Sequence, residues 1–453
     1  MTSQQRVVVI GGGLAGLRFA QRLGDRAAVT VLGEEPHVPY NRVLLAEVLA
    51  GRYAPEVTAL PAPGPALRRG VRAVRVDRAE RRVHCDDGTV EAYDTLVLAT
   101  GSNPVLPPLR GLFEPGGREL PDGVHAFRTM DDCLALSAAV RPGVRAVVIG
   151  GGLLGVSAAR ALAARGAQVV LAQQAERLME RQLDADASAL LHTHLTALGV
   201  EIHTECRTRG LTTAPPAAAG GARSASPASP ASPASSGKGR DGGGPRRVTG
   251  VEFADGYRLD ADLVVITCGV RPRTGLAVAA GLDIGKGKGI LVDDRLRTSD
   301  PRIHAIGDCA EHAGRVYGLA GPALEQADAL AAILTSTAGS PGYTGTRALT
   351  RLTLTTAGGP ATDGGPATAG GPATGGPLDL AAFGETTPLP GDDVVRLTDA
   401  TRRTYRKVVV RGDRLVGGVL LGELATVGAL ARTWEDGEAL TDLFHLLTDD
   451  GGS

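Results

Sequence analysis

The sequence has 453 residues, a formal net charge of -1 at pH 7 and 43% hydrophobic residues. This length suggests about two to four domains, each able to bury a core. A charge so close to zero gives no indication of binding to nucleic acids or anionic membranes. No apolar run reaches the roughly 18 residues that span a bilayer, and no signal-peptide pattern precedes the first strand. We therefore expect a cytoplasmic protein.

In chain order, the first 345 residues alternate apolar, β-branched runs with helical stretches, a pattern typical of buried parallel strands and their connecting helices. The predicted strands are 7–10, 29–32, 96–99, 147–149, 169–171 and 263–267, and the clearest helices are 14–23 and 153–165. Beyond residue 345, the sequence predicts two strands joined by a tight turn at Gly412-Asp413. Helices predicted within 424–434 and 439–447 complete a smaller α+β domain.

Two stretches differ in composition from the rest of the chain. Residues 212–247 contain SASPASPASPASSGKGRDGGGP, and residues 357–377 repeat GGPAT. Neither stretch has apolar side chains whose burial would offset the entropy cost of ordering. We predict that both are flexible surface insertions without a site, and that the first is disordered.

The remaining sequence repeats one order of features twice. Each half has a glycine turn after an apolar strand, VVVIGGGLAG or AVVIGGGLLG, and later a strand that begins Arg-Arg-Val. An Asp-Gly pair, at 87–88 or 255–256, then predicts a hairpin, and an apolar strand ends at Gly101 or Gly269. The duplication predicts two doubly wound α/β domains.

Both glycine turns match a dinucleotide-binding fingerprint. In the turn that starts at Gly11, the first glycine permits a tight turn, the second lets the backbone approach a pyrophosphate, and the third lets the helix pack on the strand. The phosphates would lie at the helix N-terminus, where free N–H groups and the helix dipole favour anions. The turn that starts at Gly150 has the same context. The sequence therefore predicts two dinucleotides.

Five positions bear on which dinucleotides these are. Glu34 lies where an acid would bind the ribose hydroxyls of the first, whereas the adjacent Glu35 fits a solvated loop carboxylate better. In the second half this position is Gln173, and Arg177 is near enough in sequence to meet a 2′-phosphate, so NADH and NADPH stay open. Asp308, at a strand end, could accept a ribityl hydroxyl or simply cap a helix.

The five cysteines are odd in number and widely spread. This spacing excludes a disulfide framework and a zinc or iron–sulfur motif, and it favours scattered structural thiols. His192 and His194 would face apart on a helix, so we predict no metal site there. Trp434 is expected to lie in the core of the C-terminal domain.

Together, the two glycine turns, the segment LVLATGSNP between them and IHAIGDCAE after them resemble the two-dinucleotide-binding flavoprotein oxidoreductases, over residues 1–345. Within that superfamily, GEEPHVPYNRVLL, RLMERQLD, DDRLRTSDPRIHAIGDCAEH and YRKVVVRGDRLVGGVLLGE are similar to the N-terminal flavin part of the NAD(P)H nitrite reductase large subunit. Rubredoxin and ferredoxin reductases are close relatives of that family. The resemblance implies FAD at the first turn and NAD(P)H at the second.

Carried over motif by motif, the resemblance also implies the contact residues, with Glu325 and Gln326 near the flavin ring. FAD would contact Gly11, Gly12, Gly13, Leu14, Ala15, Gly16, Glu34, Arg42, Ala73, Thr100, Gly101, Gly307, Asp308, Glu325 and Gln326. NAD(P)H would contact Gly150, Gly152, Leu153, Leu154, Gly155, Gln173 and Gly269. No catalytic residue is assigned, and no metal is expected.

The chain departs from the pattern at the flavin. Many rubredoxin-reductase-like members have a lysine near position 47 and a glutamate near 157 that can pair, whereas this chain has Glu47 and Ser157. It has neither the cysteine pair of the disulfide reductases nor the cysteine cluster of the iron–sulfur and sirohaem regions. We therefore expect that it does not reduce nitrite itself and that its electrons leave to an outside acceptor, either a partner protein or oxygen.

The resemblance thus implies an FAD-dependent NAD(P)H oxidoreductase that serves a separate acceptor protein in nitrate or nitrite assimilation. Candidate acceptors are an iron–sulfur protein, a rubredoxin, or a sirohaem or nitrate reductase subunit. One alternative is a rubredoxin or ferredoxin reductase of another pathway, and another is a flavin-bound redox sensor with little turnover. The predicted domains are 1–121 with 281–344 for FAD, 122–280 for NAD(P)H and 345–453 at the C-terminus.

Overall fold

The structure, a computed structural model, describes most of the chain. The described residues are 4–61, 66–215, 246–336, 341–354, 378–399, 401–422, 424, 427–437 and 439–440. The predicted insertion 357–377 and most of the predicted helix 439–447 lie outside them. The eight helices found there are α1 Leu14–Leu23, α2 Leu45–Leu49, α3 Met130–Ala139, α4 Leu153–Ala164, α5 Ala185–Ala197, α6 Gly275–Ala279, α7 Ala320–Thr335 and α8 Val427–Asp436.

The strands of the described residues form seven sheets. In the first part of the chain they are β1 Arg6–Ile10, β2 Ala28–Gly33, β3 Leu67–Arg69, β4 Ala73–Asp77, β5 Arg82–Cys85, β6 Val90–Ala92, β7 Thr95–Leu98, β8 Ser102–Pro104, β9 Val124–Ala126, β10 Arg145–Ile149, β11 Gln168–Ala172 and β12 Val200–His203. They continue with β13 Thr208–Ala214, β14 Arg247–Phe253, β15 Arg258–Asp260, β16 Leu263–Ile266, β17 Val270–Pro272, β18 Ile290–Val292, β19 Ile303–Ala305, β20 Ala310–His312, β21 Leu349–Leu354, β22 Leu378–Gly384, β23 Asp393–Asp399, β24 Thr404–Arg411 and β25 Arg414–Gly422.

Two parallel five-stranded sheets carry the predicted duplication. The first has the order β19-β7-β1-β2-β3, and the second has the matching order β9-β16-β10-β11-β12. The interior strands β7 and β16, each second from one edge, are buried at every residue, which is typical of parallel sheets covered on both faces. The edge strand β19 of the first sheet follows the whole second half in the chain. The edge strand β9 of the second sheet precedes the second glycine turn. The two halves are therefore interleaved along the chain.

Each half adds a three-stranded antiparallel sheet, β4-β5-β6 or β13-β14-β15, and the predicted Asp-Gly turns join strands within them. The edges of the first insertion were placed wrongly, because residues 212–214 and 247 belong to paired strands. Their pairing across the sheet satisfies backbone groups that composition alone assigned to a loop. Residues 216–245 lie outside the described part.

Equivalent segments of the two halves also pair with each other. Strand β8, after Gly101, runs antiparallel to β17, after Gly269. The Arg273 amide donates to the Gly101 carbonyl, and the Val105 amide donates to the Gly269 carbonyl, each at 2.9 Å. These bonds tie the ends of the two sheets together at one place.

The C-terminal part is an antiparallel sheet with the order β21-β22-β25-β24-β23, and helix α8 packs on it. The turn between β24 and β25 lies at Gly412-Asp413, as predicted. Trp434 is buried against Phe383, with ring centroids 5.2 Å apart, so its predicted place in the core is confirmed. The fold class is thus the predicted one, while the exact domain boundaries stay a prediction. No helix in the described ranges is both long and apolar enough to cross a bilayer.

Candidate functional site

The carboxyl ends of strands from the two parallel five-stranded sheets border one cleft. It has a volume of about 1670 Å³, and both glycine turns line it. This is the edge where doubly wound sheets bind dinucleotides. The predicted residues that line it are Gly11, Gly12, Gly13, Leu14, Ala15, Glu34, Arg42, Ala73, Thr100, Gly101, Gly150, Gly152, Leu153, Leu154, Gln173, Gly269, Gly307 and Asp308. Sequence reasoning therefore identified residues that the fold brings together.

The first glycine turn leaves an open face toward the cleft. Gly11 has φ +126°, and a Cβ there would lie 2.0 Å from the Ala99 carbonyl oxygen. A Cβ on Gly16 would lie 2.1 Å from the Gly11 oxygen, so this glycine packs the helix on the turn and lies behind the cleft wall. At Gly13, the residue before α1, a Cβ would meet nothing within 4 Å. The turn is closed where it packs and open where a pyrophosphate would approach.

The second turn repeats this arrangement. Gly150 has φ +109°, and a Cβ there would lie 2.6 Å from the Thr267 carbonyl oxygen. A Cβ on Gly155 would lie 1.7 Å from the Gly150 oxygen, whereas one on Gly152 would meet nothing within 4 Å. Like its counterpart, Gly155 packs behind the wall instead of lining the cleft. The equivalence predicted from the sequence extends to individual backbone contacts.

Asp308 is held at the cleft by an ion pair. Its Oδ2 accepts from Arg128 Nη2 at 2.6 Å and from Ser102 Oγ at 2.9 Å, and both charged side chains are 16% exposed. Arg128 lines the cleft, and its buried Nε has no hydrogen-bond partner among the residues that the structure describes. A buried donor left over on the wall of a dinucleotide cleft fits a phosphate or hydroxyl oxygen of a ligand.

The two adjacent acids of the first half have different surroundings. Glu35 accepts hydrogen bonds from Arg42 and, at 2.7 Å, from Tyr40 Oη. It therefore orients Arg42 at the cleft. Glu34 lines the cleft and forms an ion pair with Arg273 at 2.5 Å, with both side chains about 40% exposed. The position of Glu34 agrees with the predicted ribose contact, which stays a prediction.

In the second half, Gln173 is turned onto its own glycine turn. Its Oε1 accepts from the Gly151 amide at 2.7 Å, and its Nε2 donates to the Arg177 carbonyl at 3.3 Å. Arg177 pairs loosely with Glu176, at 3.7 Å. The acceptor of this side chain is therefore already engaged, and no acid occupies the place that would reject a 2′-phosphate.

We expect Gln173→Glu to shift the preference between NADH and NADPH toward NADH by about 10-fold or more, because a carboxylate repels the 2′-phosphate and accepts from ribose hydroxyls. One carboxylate oxygen can keep the bond to the Gly151 amide. The ratio of kcat/KM for the two nucleotides measures the shift. Gln168→Glu, at the start of the strand β11 that ends just before Gln173, is the matched control. An unchanged ratio for Gln173→Glu would contradict the assignment of this ribose pocket.

Glu325 and Gln326 do not line the cleft, contrary to what the resemblance implies for their side chains. Gln326 is 1% exposed, and its Oε1 accepts from the Gly307 amide at 2.7 Å. Glu325 accepts from Thr346 at 2.7 Å. Both side chains thus have hydrogen-bond partners within the protein. The helix that carries them, α7, packs on α1 behind the turn. Gln326 thus supports the loop that presents Asp308, and direct flavin contact stays a prediction.

Sequence reasoning missed two arginines at the cleft, Arg128 and Arg273. Their partners lie 180 and 239 residues away in sequence, at Asp308 and Glu34. A local signal existed only for the first, because Thr129 begins a capping box with Asp132 and so places the preceding residue at a helix start.

The five cysteines are all free. Cys206 and Cys268 line the cleft, whereas Cys85, Cys133 and Cys309 are buried. Burial raises the pKa of the Cys133 thiol to about 11, so it stays protonated at neutral pH. Among the described residues, no group of three or more His, Cys, Asp or Glu side chains could hold a metal ion.

Comparison with known proteins agrees with this geometry. The family model described as pyridine nucleotide-disulphide oxidoreductase matches residues 5–222 and 233–327, more than half of the chain. The model of the rubredoxin NAD+ reductase C-terminal domain matches residues 377–437. A crystal structure of a ferredoxin reductase from Rhodopseudomonas palustris superposes with a TM-score of 0.76 at 26% identity, covering 98% of this chain and 100% of that one.

Two similar curated proteins come from Bacillus subtilis. The chain is 31% identical over 430 residues to its nitrite reductase [NAD(P)H], and 30% identical over 430 residues to its assimilatory nitrate reductase electron transfer subunit. Each match covers 93% of this chain but only 46% and 48% of the relatives. The chain thus spans about half the length of these relatives. The predicted oxidoreductase class, with FAD and NAD(P)H as cofactors, is confirmed: the chain belongs to the pyridine nucleotide-disulphide oxidoreductase family.

Proposed function

We propose that this chain takes electrons from NAD(P)H and passes them to a separate redox protein in nitrate or nitrite assimilation, in the cytoplasm. The observation that carries the proposal is the single cleft lined by two equivalent dinucleotide turns. Bound FAD supplies the chemistry, because a flavin accepts a hydride and can release electrons singly. The residues of the chain supply binding and orientation.

Each of the two turns would bind one dinucleotide. The N-terminus of α1, at Gly13, faces the cleft from the first half, and that of α4, at Gly152, faces it from the second. Each offers free backbone N–H groups and the positive end of a helix dipole to a pyrophosphate. The bonds between β8 and β17 hold the two halves together beside the cleft. The arrangement supports two dinucleotides bound in fixed relation, which hydride transfer requires.

Charged side chains around the first glycine turn would hold the resident FAD. Glu34 would accept from ribose hydroxyls, and the paired Asp308 and Arg128, which also line the cleft, would contact the ribityl chain and a phosphate. Arg42, oriented by Glu35, adds a cation to the same side. A pyrophosphate carries negative charge that these two arginines and the helix dipole would compensate.

Reduction of the purified protein tests this proposal directly. We expect a yellow protein with one FAD, bleached under anaerobic conditions by NADH or NADPH and able to reduce an artificial acceptor at a steady rate. A colourless protein that takes up no FAD would refute the proposal. Intact FAD with very slow reduction would instead favour the redox-sensor alternative.

The acceptor is the second part of the test. Similarity to nitrate and nitrite reductase proteins supports a nitrogen-assimilation acceptor. The match of residues 377–437 to a rubredoxin reductase domain and the superposition on a ferredoxin reductase support the alternative, a small iron–sulfur protein of another pathway. The reduced enzyme should be mixed with a nitrate reductase catalytic subunit, a sirohaem nitrite reductase, a rubredoxin and a ferredoxin. The acceptor that is reduced fastest, and that reoxidises the flavin with saturation kinetics, decides between the two.

A further inference from the structure

A buried ion pair joins the two halves beside the cleft. Arg160 on α4 donates from Nη2 to Oε1 of Glu47 on α2, at 2.5 Å. The Arg160 side chain is 2% exposed, and that of Glu47 is 16% exposed. Arg52 is a weaker second partner of Glu47, at 3.5 Å, and is more exposed. The two helices come from different halves of the chain, so the pair is an inter-half contact.

The pair lies next to residues that line the cleft. Ala46 and Ser157 are cleft residues, one position before Glu47 and three before Arg160. Positions three apart lie on one side of a helix, so Arg160 follows Ser157 along the face of α4 that packs toward α2. Ser157 itself donates to the Leu153 carbonyl at 2.8 Å, within α4. The ion pair therefore fixes α4 one turn behind the cleft wall.

The pair also accounts for the two positions to which the sequence assigned no role. Glu47, on α2, is the acidic partner of a buried cation on α4, whereas Ser157 forms its hydrogen bond within α4.

Burial makes this pair strongly dependent on both partners. Desolvation lowers the pKa of the Arg160 guanidinium, and the Glu47 carboxylate opposes that shift. Removing one partner of a buried pair takes away part of the compensation for the other charge, which costs more than the net value of the intact pair. Helix α4 begins at the second glycine turn, so a displacement of α4 moves Gly152 and the nucleotide bound there.

We propose that Glu47 and Arg160 are positioning residues for hydride transfer, which hold α4 and its nicotinamide-nucleotide turn against α2. This inference rests on the proposed function. The ion pair does not line the cleft. It acts through the distance between the two turns, to which hydride transfer is sensitive, because a misplacement of about 1 Å can cost on the order of 100-fold in rate.

The test compares Glu47→Gln, Arg160→Met, Arg160→Lys and the double exchange Glu47→Arg/Arg160→Glu. Anaerobic stopped-flow measures the limiting rate of flavin reduction at saturating NAD(P)H. We expect a fall of about 10-fold or more for Glu47→Gln and Arg160→Met, recovery to within about 3-fold in the double exchange, and a rate near that of the unmodified protein for Arg160→Lys. Asp262→Asn, which breaks the more exposed Arg145–Asp262 pair within the second half, is the matched control and should leave the rate unchanged.

Hydrogen exchange supplies a readout that needs no turnover. Amides of residues 153–164 should exchange faster in Glu47→Gln and return to normal protection in the double exchange. Unchanged reduction rates and exchange in the two single variants would overturn the proposal, as would a double exchange that binds FAD but stays as slow as they are. If the unmodified protein is not reduced by either nucleotide, the proposed function fails, and the exchange data still report on the pair.

Discussion

Gly13→Val is expected to give a folded protein that no longer retains FAD. The residue precedes α1 with φ -87° and ψ -170°, an extended conformation that valine adopts readily. A Cβ at this position would meet no heavy atom within 4 Å apart from its chain neighbours, so the side chain would begin in open space. The space that valine would fill is the space through which a pyrophosphate approaches the helix N-terminus. The loss should therefore fall on the cofactor and not on the fold.

The duplication provides a matched control for this prediction. Gly152 has φ -81° and ψ -173° and the same open surroundings, so Gly152→Val makes the same change in the second turn. We expect this variant to stay yellow but to lose reduction by NAD(P)H. A steric block of the pyrophosphate should weaken affinity by about 100-fold or more, which corresponds to about 2.7 kcal/mol. FAD content, measured from the absorbance of the purified proteins, and circular dichroism separate the two effects.

The converse assignment would give the opposite pattern. If Gly13→Val kept its FAD and Gly152→Val lost it, the two turns would hold the other dinucleotide. Loss of circular dichroism in either variant would show that the turn cannot accommodate a side chain even without its ligand, contrary to the open space found there.

The parts of this site that could be predicted are those fixed by local backbone geometry. A glycine turn between a strand and a helix imposes its own φ angles and close contacts within a few residues. For this reason Gly11, Gly13 and Gly16, and their counterparts in the second half, could be assigned from the sequence. The hairpins at the Asp-Gly pairs and the helix at 14–23 are local in the same way.

The parts that could not be predicted depend on residues far apart in sequence. Arg128 meets Asp308 across 180 residues, and Arg160 meets Glu47 across 113. The capping box at Thr129 places Arg128 before a helix, but nothing local identifies the partner of either arginine. The edges of the first insertion, near residues 212 and 247, were predicted wrongly for a related reason. Their composition resembles a linker, and only pairing with another strand gives them structure.

Asp184→Ala is expected to loosen the C-terminal domain from the second half by about 3–5 kcal/mol, the usual cost of leaving a buried charge without its partner. Asp184 accepts from Lys407 Nζ and from Tyr405 Oη, each at 2.8 Å, and Lys407 is 3% exposed. The same carboxylate caps α5 by accepting from the Ala187 amide at 3.0 Å. Without it, Lys407 keeps only the Thr386 carbonyl as an acceptor among the described residues.

The measurement can be confined to the affected domain, because the chain has one tryptophan, Trp434, and it is buried in the C-terminal core. Its fluorescence during urea unfolding should show an earlier transition in Asp184→Ala. Asp186→Ala, two residues along, removes an exposed carboxylate 3.8 Å from Arg396 and is the control. It should change the unfolding free energy by no more than about 0.5 kcal/mol. Equal midpoints for the two variants would contradict the structural role of Asp184.

The effect of Asp184→Ala should also depend on pH in one direction. Burial opposes ionisation of this carboxyl group, but the hydrogen bonds from Lys407, Ala187 and Tyr405 outweigh it, so its pKa lies below the ordinary value. A lowered folded-state pKa means that the stabilisation is complete above the unfolded-state pKa, about 3.9, and is lost as the pH falls through the folded-state value. The difference between the unmodified protein and the variant should therefore be constant from pH 6 to 8, about two units and more above that pKa, and should shrink in acid. A difference that grew on acidification would mean that Asp184 is protonated in the folded protein and that its ion pair with Lys407 does not form.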